Sequence, residues 1–525
     1  MAKVTIDGTE VEVQEGINII EAAKAADVHV PHFCYHPSLT VVGQCRMCLV
    51  EVEGMPKLQA GCSTTVREGM KIHVFNDKVD KARKGQMEFL LINHPLDCPI
   101  CDKAGECPLQ DYSFNYGSVT SRYGEFKRTY PGMDRTSIGP HVVQNMNRCI
   151  HCTRCIRFCQ EITGTSELAF FKRGAATEVG VFPDMPLDNW MSACVTDVCP
   201  TGALTTREFR FESRVWNLDS VDSVCNGCDV GCNLFIGYRN GQIFRYRPRV
   251  NPDVNDHWLC DYGRFSHERY DTDRVVVPKT RRDDYLGIAT WTEALDALDE
   301  ALRGGGRLAV IASAHMTNEE AWLARKLFLQ AGAQSMGVMV DPIGPIRMKS
   351  RTEWLMGTQG APNFRGVEAV LGTSTLNVEE LLTRGAGGID VLYVCDANFS
   401  ERTADPAVVA NLRKAGKLIV HAWDATHPLG DAADILLPST IHAEKEGTFT
   451  NLQGRVQRIH QAFAPKGQAV SDLEIFRRIG ARLFPESADF GTADAYDVFE
   501  ALRSSVPAIG NAPHTDDAAV SAEAY

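Results

Sequence analysis

The N-terminal residues carry the pattern of a small α+β domain. Polar and apolar residues alternate over residues 4–13 about the pair Asp7-Gly8, which predicts a β-hairpin, because a type I′ turn needs positive φ at both central positions. Apolar residues at helical spacing over residues 19–26 predict a short amphipathic helix. Residues 71–75 predict a further strand.

After residue 290 the pattern changes to strands that alternate with helices. Apolar runs at 308–312, 391–395 and 418–422 predict buried strands, and residues 318–331 predict a helix. Strands separated by helices indicate a parallel sheet that is covered on both faces. Cys395, inside one of these runs, is predicted to lie in the core.

Between these regions the periodicity is weaker. Residues 79–92 predict a helix that leads to His94, and residues 233–238 and 242–247 predict two strands joined by an Asn-Gly turn. Residues 444–455 are polar and interrupted by glycine, which predicts a loop that holds a ligand or folds against the sheet.

Length and charge narrow the class of protein. A chain of 525 residues is too long for one core and predicts about three or four domains. No apolar run approaches the roughly 20 residues that span a bilayer, and no signal pattern opens the chain, so membrane contact would go through another protein. The formal charge of −13 argues against nucleic acid, whose phosphates select basic surfaces.

The cysteines supply the candidate chemistry. Fifteen of the eighteen form three sets of four and one set of three that a histidine completes. Without a secretory signal these sets indicate metal ligation rather than disulfides, because the cytosol keeps thiols reduced. We number them in chain order as four candidate sites. The first is Cys34, Cys45, Cys48 and Cys62; the second is His94, Cys98, Cys101 and Cys107; the third is Cys149, Cys152, Cys155 and Cys199; the fourth is Cys225, Cys228, Cys232 and Cys260.

The first site resembles that of plant-type ferredoxins, which hold a [2Fe–2S] cluster on a cysteine loop. Their first spacing is Cys-x4-Cys, whereas ten residues separate Cys34 from Cys45, so the match requires a longer loop. The site contains a single CxxC pair, which favours iron over zinc, since zinc sites usually pair two. At the second site the imidazole of His94 replaces a thiolate, which predicts a raised reduction potential.

The third site resembles half of a two-cluster ferredoxin. In those proteins the run Cys-x2-Cys-x2-Cys-x3-Cys-Pro occurs twice, and the fourth Cys of each run binds the other cluster. Positions 189, 192 and 195 hold no cysteine, so one cluster can be built, and Cys159 and Cys194 are predicted to be small buried hydrophobes. At the fourth site zinc is a stronger alternative to an iron–sulfur cluster than at the other sites, because small sheets often carry zinc sites with this spacing.

The sequence contains no catalytic constellation. A P-loop, a G-x-S-x-G elbow and an HExxH pair are all absent. The glycines at 304–306 precede the strand at 308–312, whereas a dinucleotide-binding glycine cluster follows a strand and opens a helix. The chain is therefore predicted not to bind NADH itself.

Five segments up to about residue 206 carry a family resemblance. They are PHFCYH at 31–36, GQCRMC at 43–48, HPLDCP at 94–99, RCIHCTRC at 148–155 and DVCPTGAL at 197–204. They resemble the family of large iron–sulfur subunits of bacterial NADH-quinone oxidoreductase, which is respiratory complex I. The resemblance implies a [2Fe–2S] cluster at the first site and a [4Fe–4S] cluster at each of the next two.

The same resemblance implies a function and partners. The clusters would relay electrons from a flavin-bearing NADH-binding subunit toward quinone, with no catalytic residue on this chain. The implied partners are that subunit, a thioredoxin-like [2Fe–2S] subunit and the quinone-side subunits. The expected location is the peripheral arm on the cytoplasmic face of a bacterial inner membrane, since a strand pattern follows Met1 almost at once.

From about Asp219 the chain resembles the molybdopterin oxidoreductase superfamily, in which a cysteine quartet precedes the pterin-binding domains. The segment EGTFTN at 446–451 with Gly454-Arg455 matches that superfamily's loop. The sequence stops soon afterwards, so the barrel that completes a pterin site has no residues, and we expect a degenerate domain without molybdopterin. All four cysteines of the fourth site are present, which predicts a third [4Fe–4S] cluster.

Together the patterns and the resemblance predict a multidomain protein of the α+β and α/β classes. The predicted parts are a β-grasp [2Fe–2S] ferredoxin-like domain (1–78), a one-histidine, three-cysteine [4Fe–4S] domain (79–140), a [4Fe–4S] ferredoxin-like domain (141–217), a [4Fe–4S] small-sheet domain (218–275), a truncated, pterin-free molybdopterin-oxidoreductase-like α/β domain (276–503) and a flexible tail (504–525).

Three alternative functions are compatible with parts of this pattern. The first is the catalytic subunit of an NAD-linked formate dehydrogenase, which would contain molybdenum or tungsten. The second is the electron-transfer subunit of a bidirectional NAD-linked hydrogenase, which would purify with nickel. The third is a zinc-stapled scaffold, which would have no broad visible absorption.

Overall fold

The computed structural model describes residues 1–270, 272–372, 374–395, 401–491 and 494–514. The chain divides into two compact units, an N-terminal unit that spans Met1–Leu218 and a C-terminal unit that begins at Asp219. In the described part of the chain, no helix combines the length and the apolar character needed to cross a membrane.

The N-terminal unit consists of short elements joined by long loops. Its strands are β1 (Ala2–Ile6), β2 (Thr9–Val13), β3 (Leu49–Val52), β4 (Gln59–Ala60), β5 (Lys71–His73), β6 (Thr136–Ser137), β7 (Val142–Gln144), β8 (Leu168–Phe171), β9 (Glu178–Val181) and β10 (Leu204–Thr206). Its helices are α1 (Ile19–Lys24), α2 (Asp77–Leu91), α3 (Pro108–Tyr116), α4 (Arg154–Arg157) and α5 (Cys194–Val198).

The first five strands form the predicted β-grasp sheet. Their order is β2-β1-β5-β3-β4, with β1 parallel to β5 and antiparallel to β2. The β1–β2 turn has φ values of 45° at Asp7 and 89° at Gly8, as the type I′ prediction requires. Helix α1 buries Ile19 and Ile20 in the core beneath this sheet. The predicted hairpin, helix and returning strand are all confirmed.

Helix α2 confirms the predicted helix but begins two residues before residue 79. The Asn76 side chain accepts a hydrogen bond from the Val79 N–H, and such a cap fixes where a helix starts. Arg83 on this helix is fully buried beside Met87, and its Nη2 donates to the Leu49 carbonyl at 3.2 Å. Hydrophobic spacing could not predict this inward arginine, because arginine is normally exposed.

The C-terminal unit contains longer regular elements. Its strands are β11 (Asp219–Val224), β12 (Asn233–Arg239), β13 (Gln242–Pro248), β14 (Lys279–Arg282), β15 (Tyr285–Ile288), β16 (Leu308–Ser313), β17 (Ser335–Met339), β18 (Pro342–Lys349), β19 (Trp354–Gln359), β20 (Val391–Val394), β21 (Lys417–Ala422), β22 (Ile435–Pro438), β23 (Gly447–Thr450) and β24 (Val456–Ile459). Its helices are α6 (Asp261–Arg264), α7 (Trp291–Arg303), α8 (Asn318–Gln330), α9 (Phe364–Leu371), α10 (Val378–Arg384), α11 (Pro406–Leu412), α12 (Pro428–Ala432), α13 (Asp472–Leu483), α14 (Ala495–Ser505) and α15 (Pro507–Gly510).

The main sheet of this unit has the order β15-β14-β22-β21-β20-β16-β17. The strands from β22 to β17 are parallel, as predicted, while β14 and β15 add an antiparallel edge that the sequence did not predict. The side chains of successive β16 residues point to opposite faces of the sheet, since Val310 lies in one apolar core and Ile311 in the other. Cys395 is fully buried, and the prediction of a sheet covered on both faces is confirmed.

Two predictions for this unit are wrong. Residues 447–450 form strand β23, paired with β24, rather than part of a polar loop. Its polar groups are satisfied by α8, where Glu319 accepts from the Thr448 N–H at 2.8 Å and Asn318 donates to Thr448 Oγ1 at 2.9 Å. The start of the predicted tail is also ordered, since Ser504 and Ser505 end α14, residues 507–510 form α15, and Ile509 is fully buried. The remainder of the predicted tail, 515–525, lies outside the described residues.

Candidate metal centres

The first site lies in the loops that flank β3 and β4. Its four cysteines are buried, with Cys34 hydrogen-bonded to Cys45 and Cys48 hydrogen-bonded to Cys62. The hydrogen bond from Cys45 lowers the pKa of Cys34 to about 5, against the opposing effect of burial. The hydrogen bond from Cys48 likewise lowers the pKa of Cys62. The four buried sulfurs therefore form two hydrogen-bonded pairs, and in each pair one thiol ionises more readily than the other.

The second site follows the end of α2. Cys101 and Cys107 are buried, whereas Cys98 is exposed. The His94 Nδ1 is buried and has no hydrogen-bond partner among the described residues. Burial lowers the pKa of His94 to about 4, so the imidazole is neutral and its nitrogens can coordinate a metal. An unpartnered buried nitrogen fits a ligand better than a plain loop histidine, because buried polar atoms are normally bonded.

The third site surrounds a single cavity. All four of its cysteines line this cavity, and the remaining wall includes Val179, Ala203 and Leu204. Burial raises the pKa of Cys152 to about 11 and also raises that of Cys149. Thiols in such surroundings stay protonated unless a cation compensates the charge of the thiolate. Four buried sulfurs around one cavity fit a cationic cofactor, and Gln144, Thr153 and Thr201 are the polar residues among the remaining lining.

Backbone geometry brings the sulfurs of the third site together. His151 and Thr153, which alternate with the cysteines, have φ values of 55° and 65°. These left-handed residues turn the chain so that the His151 N–H donates to Cys149 Sγ at 3.3 Å. Such a bond stabilises negative charge on sulfur and tunes a bound cluster.

The first three sites share one apolar cluster within the N-terminal unit. Cys34 and Cys45 of the first site, Cys107 of the second and Cys152 of the third pack there with the ring of Phe33. The sequence predicted three separate ligand sets, and the fold brings members of all three into one core.

The second and third sites are also joined through a short segment. Cys107 Sγ lies 3.6 Å from the carbonyl oxygen of Pro200, which lines the third cavity. A Cβ on Gly202 would lie 2.2 Å from Cys101 Sγ, so only glycine fits there. Arg148, which precedes the third site, forms an ion pair at 2.9 Å with Asp97, which precedes Cys98. Gly202 lies in the segment at 197–204, but the ligand spacing gave no signal for its close approach to Cys101.

The fourth site lies in the C-terminal unit, on the loop between β11 and β12 and at the start of α6. Its four cysteines are all buried. The Gly227 N–H donates to Cys225 Sγ at 3.4 Å, and the Gly263 N–H donates to Cys260 Sγ at 3.3 Å. A Cβ on Gly263 would lie 2.7 Å from Cys225 Sγ, so this glycine is required by the approach of two site cysteines.

None of the eighteen cysteines, all of which lie among the described residues, forms a disulfide. Among the described residues, no three His, Cys, Asp or Glu side chains converge closely enough to hold one metal ion. Cluster ligands do not converge in that way, because each sulfur binds a different iron atom or shares one with a single partner. The ligand sets therefore stay predictions, supported by burial and by the shared cavity of the third site.

Two further cysteines of the N-terminal unit, Cys159 and Cys194, belong to none of the four sites. Cys159 and Cys194 are both fully buried, as predicted. Cys159 also hydrogen-bonds the buried carboxylate of Glu167, which helps to raise its pKa beyond the effect of burial. Asn189, at one of the positions where a ligand is missing, donates to the same carboxylate at 3.0 Å. Asn189 and Cys159 are therefore joined through the Glu167 carboxylate in a buried polar network.

Five family models match successive parts of the chain. They are described as a 2Fe-2S iron-sulfur cluster binding domain (1–77), an NADH-ubiquinone oxidoreductase-G iron-sulfur binding region (83–122), an NADH-quinone oxidoreductase subunit 3 ferredoxin-like domain (139–205), an NDSU1/NuoG-like 4Fe-4S domain (217–268) and a molybdopterin oxidoreductase domain (368–482). The chain thus contains 2Fe-2S and 4Fe-4S binding domains followed by a domain of the molybdopterin family.

Named relatives cover about two thirds of the chain. The G subunit of the NADH-quinone oxidoreductase of Rickettsia felis is 41% identical over 340 residues, which are 64% of this chain and 50% of the relative. The NADH-ubiquinone oxidoreductase 75 kDa subunit of Reclinomonas americana is 39% identical over 339 residues, 64% of this chain and 49% of the relative. The chain therefore spans about half the length of the curated relatives it matches.

One solved structure has a weaker similarity. It is a chain of an NAD+-reducing [NiFe]-hydrogenase in the H2-reduced state, with 27% sequence identity and a TM-score of 0.36. The match covers 41% of this chain and 91% of that chain. At this TM-score the similarity supports no conclusion about the fold or the function.

Proposed function

We propose that this chain relays electrons from an NADH-oxidising flavin subunit toward quinone. Its iron–sulfur region matches family models of NADH-quinone oxidoreductase iron–sulfur subunits and is similar to a named G subunit. The observation that carries the proposal is the apolar cluster shared by cysteines of the first three sites. Redox centres that share one core are separated by short distances, and electron tunnelling needs short distances.

The proposal assigns one [2Fe–2S] cluster to the first site and one [4Fe–4S] cluster to each of the other three. When bound, such clusters take up and release single electrons. The chain's own residues would hold the iron, exclude water and set the reduction potentials. Backbone N–H groups that bond to Cys149, Cys225 and Cys260 would favour the reduced forms, because they stabilise negative charge on sulfur.

The proposal also covers the assembly and the α/β domain. The partners would be the flavin-bearing subunit, a thioredoxin-like [2Fe–2S] subunit and the quinone-side subunits, in a peripheral arm at the cytoplasmic face of a bacterial membrane. The match to the molybdopterin family at 368–482 also suits a formate dehydrogenase, which needs a pterin. We propose that this domain is pterin-free and has a structural role.

Metal analysis of one anaerobic preparation tests the proposal. We expect iron and acid-labile sulfide in the amounts for one [2Fe–2S] and three [4Fe–4S] clusters, with broad visible absorption and no stoichiometric molybdenum. Stoichiometric molybdenum or tungsten would favour the formate dehydrogenase instead. A colourless protein that contains zinc and no iron would overturn the relay.

His94→Cys tests the second site directly. Replacing imidazole by thiolate adds negative charge, so the potential of that cluster should fall in redox-titrated EPR, while the other clusters keep theirs. His73→Cys is the matched control, since this partly exposed histidine belongs to none of the sites. If both variants titrate like the wild type, His94 is not a ligand.

A further inference from the structure

The loop between the first two cysteines of the first site is bonded to the third site. This loop has ten residues between Cys34 and Cys45, where plant-type ferredoxins have four. Its Thr40 donates through N–H and Oγ1 to the two carboxylate oxygens of Glu161, at 2.8 and 2.5 Å. Its Gln44 donates through Nε2 to the carbonyl oxygen of His151, inside the third cysteine run. The additional loop length thus makes contacts that a plant-type spacing lacks.

Two buried arginines on α4, within the third site, donate hydrogen bonds to the loop of the first site. Arg157 donates through Nη2 to the carbonyl oxygens of Cys34 and Cys152, the latter at 3.4 Å. Its Nη1 donates to the carbonyl of Thr40. One guanidinium group therefore bonds the backbone of a first-site cysteine and that of a third-site cysteine at the same time.

Arg154 repeats this arrangement one turn earlier. Its Nη2 donates to the carbonyl of Tyr35, next to Cys34, and its Nη1 donates to the carbonyl of Val198 at 3.4 Å, next to Cys199. The planar guanidinium fork suits such bridging, because its donors point in fixed directions. Both bridges start from the third site and end on the loop of the first.

The positive charges of Arg154 and Arg157 affect the two sites as well as their hydrogen bonds. Arg154 and Arg157 are each only 4% exposed, and a buried cation is costly unless negative charge lies close. Arg157 interacts electrostatically with the Cys152 and Cys34 side chains and with Glu161. Reduction adds an electron to a redox group, so a nearby positive charge stabilises the reduced form.

We propose that Arg154 and Arg157 are positioning residues that hold the first and third sites at a fixed separation, and that their charge raises the reduction potentials at both. The inference rests on the proposed relay, since it requires a redox group at each site. It assigns the long loop of the first site a role as the element that couples two redox sites.

Redox titration of the full chain tests the charge effect. In Arg157→Met, EPR-monitored titration should show both potentials lowered, with each reduction equilibrium changed by about tenfold, which is about 59 mV for a one-electron couple. Arg173→Met is the matched control, because Arg173 is exposed and lies in the same unit, and both potentials should stay at the wild-type values. Unshifted potentials in an Arg157→Met protein with wild-type iron and sulfide would overturn the inference.

Arg157→Lys tests the positioning effect. Lysine keeps the charge but not the fork, so both potentials should stay near the wild type while the magnetic interaction between the two reduced sites changes. If Arg157→Met fails to assemble its clusters, the lysine variant decides, and an unchanged magnetic interaction in it overturns the inference. A wild-type chain without iron would instead overturn the proposed function, so the two failures are distinguishable.

Discussion

The two units have different kinds of core. In the N-terminal unit, cysteines of three predicted sites are themselves core residues, packed with Phe33 and with Met87 of α2. In the C-terminal unit, aliphatic and aromatic side chains on the two faces of the main sheet form the core. If the proposed clusters are bound, the loops after the β-grasp sheet are stabilised mainly by what their sulfurs bind. The β-grasp sheet and the C-terminal unit are stabilised mainly by the burial of apolar surface.

Removing the metal should produce the largest difference in stability between the two units. When iron and sulfide are stripped from the full chain, residues 79–218 should become sensitive to limited proteolysis, because their buried thiols lose the cations that hold the loops together. The seven-stranded main sheet of the C-terminal unit should stay protected from the protease, since the apolar cores on its two faces contain no site cysteine. Fragment masses before and after stripping measure this.

The untreated protein under the same protease is the control. Equal protection of both units after complete loss of iron would show that the N-terminal unit has a self-sufficient core, and the proposed difference would then be wrong.

Truncation of a core residue should destabilise the C-terminal unit alone. Leu392 lies in β20, an interior strand of the main sheet, and is fully buried. Leu392→Ala should lower the free energy of unfolding of this unit by about 2–5 kcal/mol, through lost transfer energy and the cavity left behind. Calorimetry of the full chain measures the shift, and the visible absorption of the N-terminal clusters should not change.

Leu329→Ala is the matched control, since this leucine of α8 is 55% exposed. Its effect should stay within roughly 0.5 kcal/mol. A similar loss in both variants, or bleaching of the N-terminal clusters by Leu392→Ala, would contradict the independence of the two cores.

The change in the free energy of unfolding that depends on the ionisation of Glu319 should be smaller than the change caused by Leu392→Ala. Burial raises the pKa of this carboxyl from 4.5 to about 7, although Thr448 donates two hydrogen bonds to it. A raised pKa in the folded state gives stability that is present below about pH 4.5 and is lost as the pH rises through about 7. Glu319→Gln removes this dependence, so the variant should gain relative to the wild type between pH 5 and 8.

The gain should reach about 3 kcal/mol at most, since a change of one pKa unit is worth 1.36 kcal/mol. Thermal unfolding of the full chain across this pH range measures it, with the exposed Glu300→Gln as control. A constant difference between Glu319→Gln and the wild type at every pH would show that Glu319 is ionised in both states.

The sequence alone determined the features that depend on local sterics and on spacing. Asp7-Gly8 specified a hairpin because its turn needs positive φ, and the apolar run at 391–395 specified a buried strand. The cysteine spacing identified the four sets, because metal ligands must follow one another at distances that a loop can close.

Only the tertiary structure decided which polar residues turn inward. Arg157 carries no sequence signal for burial, and its acceptor on Cys34 lies 123 residues away. The segment at 447–450 reads as a loop until Asn318 and Glu319 satisfy its polar groups. The physical reason is the same in both cases, since a polar group can be buried only where distant parts of the chain supply its hydrogen bonds.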